Sequence, residues 1–117
     1  MGEMEAAVAC VQLKDFAHHL ARRVDLAGAL SDGLRDVMDI PKVREGCTHN
    51  YYLWTTKGSL EGVPHIKGYI EPLHKTFQTG ESLPVVEAMR EQVSCFEICK
   101  WDIEDPTELI ETIKKAN

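Results

Sequence analysis

Apolar residues recur mostly three or four apart through the first forty positions: Val8, Val11, Phe16, Leu20, Val24, Ala27, Leu30, Leu34 and Val37. That is the 3.6-residue period of a helix burying one stripe. Lys14, Asp15, His18, Arg22, Asp25, Asp32 and Arg35 fill the other side. The pattern predicts one long helix over Glu3 to Ile40, or two nearly collinear ones. Pro41 ends it, because the residue before a proline disfavours helix. Gly28 and Gly33 each weaken the helix by roughly 1 kcal/mol relative to Ala, so a bend is expected near them. An amphipathic helix this long needs a surface to lie on. The rest of the chain is short, so part of that surface is expected to belong to another molecule.

The period then shortens. Thr48 to Thr56 is aromatic and β-branched, without Gly or Pro, and reads as a strand. His49, Tyr51, Leu53 and Thr55 share one face of it; Asn50, Tyr52 and Trp54 share the other. Lys57 to Gly62 is a turn. Val63 to Ile70 is a second, shorter strand, with Pro64 at an edge or end and Gly68 marking a bulge or close approach. Glu71 to Ser82 is an irregular loop. Ser82 as cap and Pro84 in the first turn open a helix through VVEAMREQ. Ser94 to Cys99 is a third strand. Asp105-Pro106-Thr107-Glu108 starts a last helix that buries Leu109, Ile110 and Ile113. The order predicts an α+β fold in an α/β-like two-layer arrangement. It has a long N-terminal helix, a small three-stranded sheet and two further helices. One domain spans residues 1–117, with the long helical segment at 1–40 and β-β-α-β-α over 41–117.

Composition narrows the function classes. The 117 residues carry 19 acids against 13 bases, a net charge of −6, which argues against nucleic acid as the main partner. No apolar run approaches the ~20 residues that span a bilayer. The N-terminus does not read as a signal peptide, and a cytoplasmic protein is expected. Cys10, Cys47, Cys95 and Cys99 lack paired C-x2-C knuckles. They are expected to be free thiols, mostly buried, with no metal bound.

Candidate chemistry is sparse. There is no Gly-rich phosphate loop, no H-E-x-x-H and no G-x-S-x-G. His18 and His19 point about 100° apart on a helix and form no shared ligand pair. Arg22 and Arg23 suit a salt-bridged surface, or the binding of an anion. Tyr69, Glu71 and His74 fall close together beside Gly68 and Pro72. Tyr and His there could hydrogen-bond a polar ligand, and His could move a proton near neutral pH. The alternative is a surface loop whose Tyr and His only pack. His49 reads as a satisfied core histidine or as a ligand-binding group. Lys57, Lys67, Lys75 and Lys100 show no context for a Schiff-base lysine, and no residue is assigned a catalytic role.

Four segments together carry a resemblance. EMEAAVACVQLKDFAHHLARRVDLA resembles a segment of the DegT/StrS-type sugar-nucleotide aminotransferases through Glu3, Ala6, Ala7, Gln12, Leu13, Arg22, Arg23 and Ala27. THNYYLW resembles that family's H-x-Y-x-L-Y strand, and GVPHIKGYIEPLH its G-I-x-x-x-x-Y-x-P-L-H loop. LPVVEAMREQVSCFEI followed by DPTELIETIKK resembles its closing helix, strand and helix. Such enzymes are fold type I, pyridoxal-phosphate-dependent and usually dimeric. They transfer an amino group, commonly from glutamate, to a keto-sugar nucleotide in lipopolysaccharide, cell-wall or antibiotic sugar biosynthesis.

The likeness maps to the family's C-terminal third, its small domain. It implies that the large domain, with the cofactor lysine and the aspartate facing the pyridinium nitrogen, lies outside this chain. Pyridoxal phosphate is therefore implied for the full-length family and not for this chain alone, which is expected to be inert. Tyr69 and His74, with His49, map to substrate-facing positions; Glu71 joins them from its place in the loop. The implied partners are a second copy or a large-domain partner through the N-terminal helix, and a nucleotide sugar. The family has a helix between its H-x-Y strand and its G-I loop. Only Lys57 to Gly62 separates them here, so a tight hairpin between the two strands is expected. ICKWDIEDP also replaces a more usual Pro-containing connection. The competing readings are a homo-oligomeric interaction module and a small-molecule-binding domain using Tyr69, Glu71 and His74, neither catalytic.

Overall fold

The computed structural model describes residues 2–68, 71–98 and 103–117. Its dominant element is α1 (Glu3–Leu34), 32 residues long. At a rise of 1.5 Å per residue this helix is about 48 Å long, and the longest dimension of the molecule is 47 Å. The Glu5 carboxylate accepts the Gly2 N–H and so satisfies a donor at the helix start. The helix runs unbroken through Gly28 and Gly33 and ends at Leu34, not at Ile40. Val37 and Met38 N–H both donate to the Leu34 carbonyl, at 3.0 and 3.1 Å. Asp39 then exchanges two backbone hydrogen bonds with Lys57, at 3.2 and 3.0 Å. This pairing draws the chain out of the helix before Pro41 is reached.

Two antiparallel strands follow, β1 (Trp54–Lys57) and β2 (Val93–Phe96). They pair Trp54 with Phe96, Thr55 with Cys95, Thr56 with Ser94 and Lys57 with Val93. The expected three-stranded sheet is therefore two-stranded among the described residues. The Val63 to Ile70 segment contributes one bridge, in which Ile66 and Cys95 exchange hydrogen bonds of 2.9 Å each way. β2 thus lies between β1 and Ile66, and the two segments expected to form a tight hairpin are separated by it. Pro64 has no N–H to give a ladder, and the His65 ring bonds the Val63 carbonyl at 2.9 Å, which favours a turn over an extended strand.

The first strand is also shorter than its composition predicts. His49 Nδ1 accepts the Tyr51 N–H at 2.9 Å and Asn50 Oδ1 accepts the Tyr52 N–H at 3.2 Å. Tyr51 has φ +45°. These side chains satisfy the local backbone, which therefore does not need a partner strand.

Three shorter helices complete the described structure. A single turn, α2 (Leu73–Thr76), forms inside the expected loop. The next helix is α3 (Pro84–Gln92), whose cap is Leu83 in place of Ser82. The last is α4 (Thr107–Ala116). Asp105 Oδ1 accepts the Thr107 N–H at 2.9 Å and its hydroxyl at 2.6 Å, and these bonds hold the Asp105 carboxyl below its ordinary pKa. The end of the expected third strand, at Cys99, lies outside the described residues.

One apolar cluster joins the C-terminal part of α1 to the sheet and α4. It comprises Ala27, Leu30, Leu34, Met38, Trp54, Leu60, Val63, Phe96, Ile98 and Ile113. Each fully buried Leu or Ile contributes roughly 1.5–3 kcal/mol relative to exposure. Trp54 is buried, yet its Nε1–H donates to Ser31 Oγ at 2.9 Å, and Ser31 Oγ donates to the Ala27 carbonyl at 2.6 Å. A large apolar ring thus enters the core without an orphaned donor. Gly33 permits the α1–α4 contact: a Cβ there would lie 2.7 Å from Ile110 Cδ1.

Candidate functional site

The loop after Gly68 is fixed at one point. α2 begins after Pro72, where Lys75, Thr76 and Phe77 N–H donate back to Pro72 and Leu73 carbonyls at 2.9, 3.1 and 2.9 Å. This turn carries His74 inward to 8% exposure. His74 Nε2 lies 3.0 Å from Glu87 Oε1. A carboxylate only accepts, so Nε2 carries the proton. Glu87 comes from the first turn of α3, and Lys75 Nζ lies 3.2 Å from its other oxygen. The hydrogen bond from His74, then that from Lys75, hold the Glu87 carboxyl below its ordinary value. His74 Nδ1 is buried and has no hydrogen-bond partner among the described residues.

The predicted site residues separate. His74 is an interior tie between loop and helix. Glu71 is exposed and accepts the Thr76 hydroxyl at 3.3 Å, inside its own turn. His49 is exposed, caps the Tyr51 N–H, and its ring lies 4.5 Å from the Tyr51 ring. It is not on a strand. Tyr69 lies outside the described residues. Glu87 and Lys75 complete the His74 cluster, and sequence reasoning gave them no part in it. The only sequence signal for Glu87 is an acid in the first turn of a helix, a very common placement.

Among the described residues, two open grooves lie elsewhere. One of ≈ 640 Å³ is lined by Lys57, Ser59, Glu61, His65, Lys67 and Glu91, where Lys67 Nζ donates to the Glu91 carbonyl at 3.0 Å. Another of ≈ 520 Å³ runs between α1 and the start of α4, lined by His18, Arg22, Asp25, Leu26, Ile103 and Glu104. Both mix acids with bases, and His49, Glu71 and His74 line neither. Among the described residues no three His, Cys, Asp or Glu side chains converge as a metal site would require. Cys10 and Cys47 are exposed, against expectation, while Cys95 is buried. No helix among the described residues is long and apolar enough to cross a membrane.

Pyridoxal phosphate chemistry needs a lysine in a formed pocket, where desolvation lowers its pKa. Every lysine among the described residues is exposed: Lys14, Lys42, Lys57, Lys67, Lys75, Lys114 and Lys115. These residues do not fit the cofactor.

No family model and no curated protein matches the sequence. A solved structure does: a DegT DnrJ EryC1 StrS aminotransferase from Brucella abortus, with TM-score 0.78 over 94% of this chain at 20% identity. This chain spans 34%, about a third, of the length of that protein. The likeness establishes a shared fold with part of an aminotransferase of that type.

Proposed function

We propose that this chain acts as the small-domain part of a DegT/StrS-type keto-sugar nucleotide aminotransferase, in the biosynthesis of lipopolysaccharide, cell-wall or antibiotic sugars. The carrying observation is the fold match over nearly the whole chain. The chain's own contribution is a substrate-binding loop in which Glu71 contacts the nucleotide sugar and His74 anchors the loop to α3 through Glu87; Tyr69, assigned to the same role from the sequence, lies outside the described residues. His74 is therefore a positioning residue and not a ligand. Amino transfer needs a lysine-bearing large domain and pyridoxal phosphate, which are not supplied by the described residues.

Two measurements test this reading. Borohydride treatment of the 117-residue chain with pyridoxal phosphate should trap no stoichiometric adduct at a single lysine. Such an adduct would overturn the claim of inertness. Titration with a UDP-sugar, followed by backbone NMR, should shift amides between Glu71 and Gly80 at millimolar ligand, and Glu71→Ala should weaken the shifts. A titration that moves no amide in this segment removes the substrate-loop assignment.

A further inference from the structure

Thr48 to Leu53 has the composition of a strand, yet it runs as irregular chain directly into β1. The sheet register shows which pairs are missing. Trp54 pairs with Phe96. One further antiparallel step would set Leu53 opposite Glu97, and the next Tyr52 opposite Ile98. Tyr51 stands in the way. Its φ of +45° lies in the left-handed region, which a bulky aromatic residue occupies only where its surroundings hold it there. The hold is local. His49 Nδ1 accepts the Tyr51 N–H at 2.9 Å, and the two ring centres lie 4.5 Å apart. Asn50 Oδ1 repeats the arrangement one residue on, through a longer bond of 3.2 Å from the Tyr52 N–H.

The two side-chain acceptors differ in one respect. An amide oxygen accepts at any ordinary pH. An imidazole nitrogen accepts only while it is bare; in the protonated ring both nitrogens are donors. Histidine makes that change near neutral pH. Because Nδ1 is the acceptor here, the neutral ring carries its proton on Nε2. His49 is exposed, so a proton reaches it without unfolding of the core. Among the described residues the group that faces its ring is Tyr51, and no ion pair includes His49.

We infer that His49 is a proton-operated latch at the end of the sheet, independently of any aminotransferase role. With the ring neutral, its bond to the Tyr51 N–H keeps Thr48 to Leu53 curled. With the ring protonated, that bond is lost. Tyr51 then leaves the left-handed region, and β1 lengthens to pair Leu53 with Glu97. The aromatic composition of Tyr51 and Tyr52 favours the extended form once the latch is open. Loss of one such hydrogen bond changes the ratio of curled to extended chain about fivefold.

Three forms of the 117-residue chain test the latch. His49→Asn places an amide oxygen where it accepts the same N–H but does not titrate. His49→Ala leaves no acceptor. Position 49 is exposed, so both variants should keep the circular dichroism spectrum of the wild type. Two NMR signals report the change. The Tyr51 HN–Hα coupling rises as φ moves from +45° to the extended region, and a Leu53–Glu97 cross-strand NOE marks the added pair. Both are followed from about pH 8 to about pH 5.5, on either side of the imidazole range. The wild type should match His49→Asn at the upper end and His49→Ala at the lower, passing between them with one midpoint. Neither variant should move. The other four of the five histidines are common to all three forms, so their titration cannot produce this pattern. A wild type that keeps the small Tyr51 coupling throughout would overturn the latch. So would equal couplings in the two variants, because the bond would then not be what holds Tyr51. A coupling that rises without the Leu53–Glu97 NOE would overturn the lengthening of β1.

Discussion

A Cβ added to Gly28 would meet nothing within 4 Å, whereas one added to Gly33 would meet Ile110 at 2.7, 3.2 and 3.3 Å. Both glycines sit inside α1 and carry the same helix penalty. Gly28→Ala should therefore stabilise the protein by about 1 kcal/mol, a rise of about 4 °C in Tm. Gly33→Ala should give none of that gain, because three Ile110 atoms must move into a packed α1–α4 contact; a net loss of about 1 kcal/mol is expected. Thermal melts followed by circular dichroism separate the two outcomes, and equal gains would mean that Ile110 repacks freely. Glu87 makes a different kind of prediction. Its carboxyl is held below its ordinary value of 4.5, first by His74 and then by Lys75. A depressed acid contributes stability above its unfolded pKa and loses it as pH falls through the folded one. The Tm advantage of wild type over Glu87→Gln should thus be full at pH 6 and shrink steadily below about pH 4.5. An advantage that does not change between pH 6 and 3 would show that the His74 tie carries no ionic component.

α1 is one helix with two environments. Its C-terminal third packs on the sheet and α4, while Val8, Val11, Leu13 and Phe16 are all more than half exposed. A free helical stretch of some twenty residues is marginal in water unless a packed face supports it. Backbone amides of residues 5–20 should therefore exchange within minutes at micromolar protein, whereas those of 27–34 should exchange only with global unfolding. Uniform protection along α1 at a concentration where the protein is monomeric would contradict the division. The element's existence was plain from its 3.6-residue period, which depends on nothing beyond the stripe itself. Its end was not, because Asp39 finds its partner at Lys57, a contact that no local pattern encodes. The same limit explains the lost strands. Thr48 to Leu53 has strand composition, but His49 and Asn50 turn back on their own backbone. Ile66 pairs with Cys95 for one residue only. At the site, His74 was legible as a hydrogen-bonding residue. Its partner Glu87 was not, since the Gly80 turn (φ +75°) that leads from α2 to α3 is what brings them together.

At the scale of the whole molecule, the shared fold with part of an aminotransferase describes a scaffold, and the core cluster explains why that scaffold holds together. The C-terminal part of α1, both strands and α4 all contribute side chains to that cluster, so they should unfold as one unit. Asn117 closes the unit at its far end. Its side-chain amide donates to the Ser59 carbonyl at 2.8 Å and to the Ile113 carbonyl at 3.0 Å, and accepts the Ser59 N–H at 3.0 Å. One residue thus caps α4 and fastens the turn between β1 and Leu60 to it. Asn117→Ala removes all three bonds. Each contributes about 1 kcal/mol at most in this partly wet setting, so the variant should lose about 1–2 kcal/mol of global stability. Because the elements share one core, the loss should appear equally in denaturant melts read by tryptophan fluorescence and by circular dichroism, with coincident midpoints. If only the probe near the turn shifts, the Ser59 clamp is a local latch and the cluster is not one cooperative core.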